Sequence, residues 1–134
     1  MASIAAIDGI GDKSATKLRK AGIRTTEALL KRAATRKGRE ELAGATGLAS
    51  EDILGWVNRA DLMRIKGIGS EYADLLEAAG VETVKELRRR SSKSLSARMT
   101  ELNESRRLVR RLPTEAMVSA WIEYSKRLEP TVKH

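Results

Sequence analysis

Ile4-Ala5-Ala6-Ile7-Asp8-Gly9-Ile10-Gly11-Asp12-Lys13-Ser14-Ala15-Thr16-Lys17-Leu18 is the stretch on which the reading of this chain turns. Its pattern, I-x-x-I-x-G-I-G-x-x-x-A-x-x-L, returns 58 residues later between Leu62 and Leu76. Two glycines around one apolar residue, set between helix-compatible segments, permit a turn tighter than most residues tolerate. Such a turn leaves backbone N–H groups pointing outward at the start of the following helix, which is the physics of an anion site.

Aligning Ile7–Leu30 with Ile65–Arg88 gives ten identities, among them Gly9/Gly67, Ile10/Ile68, Gly11/Gly69, Leu18/Leu76 and Gly22/Gly80. Self-similarity at a fixed spacing identifies a repeat before any fold is assumed. Trp56 and Trp121 continue the correspondence at a spacing of 65, so the second copy has gained about seven residues before its last helix. The expected division is residues 1–64 and 65–134, with a basic insertion at about 88–111 and a helix shared between the repeats.

Helix signals recur throughout. Asp12 is placed to cap a helix that Gly22 ends, and Thr25 or Thr26 opens the next. A third helix is expected over Arg36–Ala43, ended by Gly44, with Gly44–Leu48 as a degenerate copy of the glycine turn. Ser50 caps a helix with the stripe Ile53, Val57 and Ala60. In the second copy Ser70 caps a helix ended by Gly80. Thr83-Val-Lys-Glu86 reads as a capping box, Arg88–Ser94 as a mobile joint, and Ser94 or Ser96 as a helix start. Met117, Val118, Trp121, Ile122 and Leu128 make the last apolar stripe. No strand is called for, and the expected class is all-α.

Composition narrows the functions. The 134 residues include no Cys and one His, at position 134, which removes disulfides, thiolate metal sites and most histidine chemistry. The net charge is +8, which favours polyanionic partners. Nine basic residues face two acids between Arg88 and Arg111, a net of +7. The carboxylates are scattered without a histidine partner, so no catalytic or metal-ligating set is expected. No apolar run approaches the ~20 residues of a spanning helix, and no secretory signal is evident, so a cytoplasmic protein with no membrane partner is expected.

The repeated pattern resembles the helix-hairpin-helix motif of sequence-independent DNA-binding proteins. The first copy, GIGDKSATKLRKAGIRTTEAL, is also similar to the N-terminal module of RadA-type recombinases. Over nearly its full length the chain resembles a bacterial family of unknown function that carries two such repeats. The resemblance implies tandem helix-hairpin-helix repeats in a SAM-domain-like helical bundle. It also implies hairpin amides that hold the phosphates of one strand, here Gly9, Ile10 and Gly11, and Gly67, Ile68 and Gly69. Lys13 and Lys17 stand where the motif places its phosphate-contacting lysines. The second copy departs from it: Glu71 and Leu75 hold those positions, with Asp74 and Glu77 nearby and only Lys66 to offset them.

The expectation is a non-enzymatic protein that binds duplex or branched DNA through the hairpins and through Arg106, Arg107, Arg110 and Arg111. It would then be nucleoid-associated. RNA or another protein is the alternative partner, the latter through a module that has kept the fold and lost the nucleic acid. No cofactor is expected beyond a structural monovalent cation at a hairpin, which the resemblance allows. Trp56 and Trp121 lie within apolar stripes and read as core anchors.

Overall fold

The glycine turns and their flanking helices dominate the chain. The computed structural model describes residues 2–134, and all of its regular structure is helical. A 3-10 turn at Ile4–Ala6 is followed by α1 (Asp12–Lys20), α2 (Thr26–Ala33), α3 (Arg36–Thr46) and α4 (Ser50–Leu62). Then come α5 (Ser70–Ala78), α6 (Val84–Leu87), α7 (Ser92–Arg106) and α8 (Glu115–Ser125). Among the described residues there is no strand; one isolated bridge pairs Ser3 with Thr25.

The chain divides into two compact units, Met1–Asp61 with Thr131–His134, and Leu62–Pro130. In the first, α2 packs on α3 and α1 on the 3-10 turn. Its buried apolar residues include Ile4, Ile7, Leu18, Leu29, Leu42 and Ile53. In the second, α7 packs on α5 and α8, and α6 on α8. One continuous apolar cluster runs from Leu62 through Leu76, Leu87, Leu95 and Met99 to Trp121 and Ile122.

The sequence repeat is reproduced bond for bond. Ile7 N–H donates to Ile4 O and Ile65 N–H to Leu62 O, each at 3.1 Å. Ile10 N–H donates to Ile7 O at 3.3 Å, and Ile68 N–H to Ile65 O at 3.1 Å. At the far ends, Ile23 N–H donates to Leu18 O and Val81 N–H to Leu76 O, each at 2.9 Å. These last bonds close over Gly22 and Gly80, whose φ of 88° and 91° make them left-handed helix terminators.

Several local expectations are corrected. The cap of α1 is Gly11 and that of α5 is Gly69; Asp12 and Ser70 are first helical residues, and neither cap makes a side-chain bond. Helix α3 runs through Gly44 to Thr46 and stops at Gly47, with φ 78° and its N–H on Ala43 O. Gly44 is therefore a helical glycine, and no degenerate turn begins there. Thr83 is buried and makes no cap bond, and Glu86 reaches past it to accept from Glu82 N–H at 2.9 Å, so the expected capping box does not form.

The segment Arg88–Ser94 is no mobile joint. Arg88 donates through Nη2 to the carbonyls of Leu128 at 2.9 Å and Ser125 at 3.4 Å. Arg90 Nη1 donates to Ala79 O at 3.3 Å, and Ser91 caps α7 through Ser94 N–H. These basic residues close helix ends, where cations and carbonyl groups attract one another.

In the first unit Arg39 does the same from within the fold. It is 4% exposed and donates to Ala33 O and Ala34 O through Nη1, and to Lys133 O through Nη2 at 2.7 Å. Burial pushes its guanidinium below the usual value; Arg36 adds to that and Glu40 opposes it. The C-terminal residues are held in turn: Lys133 N–H donates to Ala34 O at 2.8 Å, and the His134 ring meets Asn58 Oδ1 at 3.2 Å.

Candidate functional site

The first turn is built by Gly9, whose φ of 94° lies in the left-handed region that side chains disfavour. Ile10 plugs downward and is 8% exposed. Its N–H is held inside the turn by Ile7 O, so it is not an outward donor. The outward donors come one step later. Because Gly11 has no side chain to cap the helix, the N–H groups of Gly11, Asp12 and Lys13 have no partner among the described residues. They carry the positive end of the α1 dipole.

Directly along α1 lies a shallow, open groove on the helix surface, lined by Asp12, Lys13, Thr16, Lys17 and Lys20. All five are exposed. Lys13, Lys17 and Lys20 follow at helical spacings of four and three, which puts them on one face. The Thr16 hydroxyl turns back to Asp12 O at 2.9 Å. Asp12 is the acid of this groove; it suits the helix start and partly offsets the lysines. Lys20 and Thr16 join Lys13 and Lys17 by periodicity alone, a signal the sequence contained.

The second turn has the same backbone and different surroundings. Gly67 has φ 97°, Ile68 is 4% exposed, and the Ile68 N–H is likewise bonded within the turn. Lys66 is exposed beside it. Glu71 is occupied: its Oε1 accepts from the backbone N–H of Arg110 at 3.2 Å. Tyr72 donates its hydroxyl to Arg111 O at 2.9 Å. Two side chains from the first turn of α5 thus dock the loop that follows α7.

That loop is shaped from within. Arg107 takes a left-handed φ of 49° and sends its N–H to Asn103 O at 2.9 Å. Asn103 Oδ1 then accepts from Val109 N–H at 3.0 Å. A depression lined by Glu71, Asn103, Glu104, Arg107, Val109 and Arg110 results. Arg106, Arg107, Arg110 and Arg111 are all exposed. The expected site residues therefore fall into two groups: Gly9–Lys17 in one unit, and Lys66–Gly69 with Arg106–Arg111 in the other.

Each turn also meets a tryptophan. A Cβ built on Gly9 would find one neighbouring atom within 4 Å, Trp56 Nε1 at 3.7 Å; on Gly67 it would find Trp121 Nε1 at 3.3 Å. Both rings are buried, Trp56 to 6% and Trp121 to 4% exposure. Tyr72 packs on Trp121 with centroids 5.2 Å apart at 48°. The spacing of 65 shows the pairing of the two tryptophans but not that the nitrogen edge leads each ring into its turn.

Among the described residues no group of three or more metal-ligating side chains is present, and no helix is long and apolar enough to cross a membrane. What these elements define is an all-α protein in which one glycine turn and its following helix occur twice. The chain belongs to the family described as a domain of unknown function (DUF4332), whose model matches residues 8–128. No curated protein matches the chain, and no solved structure does.

Proposed function

We propose that this chain binds DNA without sequence selectivity, its two glycine turns acting as helix-hairpin-helix elements that hold backbone phosphates. The observation that carries the reading is the first turn. Uncapped amides at the start of α1 stand at the head of a groove with three exposed lysines. Donors and positive charge together suit a phosphate, and contacts of this kind position a protein on the backbone without reading bases. The basic loop Arg106–Arg111, docked beside the second turn, supplies further electrostatic affinity. The chain acts as a binding protein with no catalysis of its own.

Titrating labelled duplex, single-stranded and branched DNA at two salt concentrations tests this. The expected result is binding at low salt that weakens steeply as salt rises, with no DNA nicking in magnesium or manganese. No binding to any of the three at low salt sinks the proposal.

One observation favours a second reading, a protein-interaction module. At the second turn Glu71 stands at the helix start and serves an internal contact, as a scaffold residue does. Stoichiometric recovery of one protein partner after nuclease treatment would favour it over the first.

A further inference from the structure

We infer that the indole N–H of Trp56 is a donor to the phosphate oxyanion held at the first turn, alongside the amides of Gly11, Asp12 and Lys13. This inference rests on the phosphate-binding reading above and adds to it a side chain outside the turn and outside the lysine groove.

Tryptophan offers one polar hydrogen, which can only be donated, and a buried indole N–H ordinarily has an acceptor. Trp56 has a buried ring, yet its N–H makes no hydrogen bond to any described residue. Arg88 Nε is the fully enclosed side-chain polar atom without a partner among the described residues, so the indole nitrogen keeps some surface of its own. That surface is at Gly9. The nitrogen is the ring atom nearest the glycine's missing side chain, so the N–H edge leads into the turn. Gly9 is two residues ahead of the cap of α1, the helix whose first amides are free.

The same arrangement occurs a second time. Trp121 brings its nitrogen to Gly67, with no hydrogen bond to any described residue. A repeat that keeps an unpartnered donor at the same place in both copies is poorly explained by packing alone, since a phenyl ring fills a core without carrying a polar hydrogen. The first turn gathers backbone donors and the cations Lys13, Lys17 and Lys20 against two acids, Asp8 and Asp12. That balance of donors and positive charge suits an oxyanion better than a bound cation. The oxyanion is either a nucleic-acid phosphodiester or free phosphate.

The chain has two tryptophans, so its proton–nitrogen spectrum carries two indole signals, and Trp56→Phe identifies one of them. A mixed-sequence duplex and inorganic phosphate at matched ionic strength are the two probes. On binding, the Trp56 indole proton should move downfield and exchange more slowly with solvent, together with the Gly11–Lys13 amides. Movement with the duplex identifies the backbone as the source. Movement with inorganic phosphate alone keeps the indole site and removes the DNA reading. Amides that move while the indole stays still overturn the inference and leave the DNA reading standing. If neither responds to either probe, both fall. Trp56→Phe should weaken duplex binding about tenfold, the scale of one hydrogen bond to a charged group. If that variant does not fold, the wild-type indole signal decides.

Discussion

At Gly67 two constraints coincide, and at Gly44 there are none. Gly67 has a left-handed φ of 97°, and a Cβ there would sit 3.3 Å from Trp121 Nε1. Gly9 has a similar φ of 94° but a looser 3.7 Å to Trp56. Alanine at either position forces the backbone into a region that L side chains disfavour, at about 1–3 kcal/mol. Gly67→Ala is expected to be the more destabilising of the two. Gly44 lies within α3 with nothing within 4 Å of an added Cβ, so Gly44→Ala should stabilise by about 0.5–1 kcal/mol. Urea midpoints of the three variants check the order; a Gly67→Ala variant as stable as the parent refutes it. The glycine turns were legible in the sequence because a Gly-x-Gly between helical segments has few other uses. The identity of the outward amides was not. It depends on Ile10 and Ile68 bonding within their turns, a geometric matter of one residue. The glycine caps were misread for a related reason: Asp12 and Ser70 are good capping residues, and the turn puts each one position too late.

Elements show the same division between local and distant causes. Most helices could be placed from stripes and caps, and Thr25 and Thr114 accept from the N–H three residues on where a helix start was expected. Helix α7, however, is capped by Ser91 and starts at Ser92, ahead of the expected Ser94 or Ser96, and the Thr35 cap of α3 was not foreseen. The loop after α7 could not be placed. As charge it read as an open cluster, but its Arg110 and Arg111 backbone groups are tied to Glu71 and Tyr72, 39 residues earlier. No periodicity records a bond across that separation. The acid that looked like an obstacle to phosphate is thus also a latch. Glu71→Ala should release the loop: hydrogen exchange at the Arg110 amide should quicken at least severalfold, while the helical amides of α8 keep their protection. Unchanged exchange at Arg110 would show that Tyr72 and Asn103 hold the loop unaided. Glu71→Gln keeps an acceptor oxygen and should behave like the parent.

On the scale of the whole molecule, the all-α class and the repeat were open to sequence reasoning because both are written in periodic apolar residues. Charge was open too, but as a total and not as a surface. The net +8 predicts a strong salt dependence for any polyanion bound. If Lys13 and Lys17 each neutralise one phosphate, Lys13→Glu with Lys17→Glu should flatten the log–log salt slope by about 1.8 and weaken low-salt affinity at least tenfold. An unchanged slope removes the first turn from the contact. Stability has its own long-range term. Arg39→Met takes three carbonyl contacts from a buried cation and should cost about 2–3 kcal/mol, read as a shift in the thermal midpoint.

The bond from Arg39 to Lys133 has a topological consequence as well. Because Thr131–His134 return to the unit that contains residues 2–61, the second unit is an insertion, entered and left by way of the first. Cutting the chain after Pro130 therefore leaves every residue of the unit it directly follows in place. It instead strips the Lys133 carbonyl from Arg39 and the Lys133 amide from Ala34, more than ninety positions away. A truncation chosen by reading along the chain would wound the opposite half.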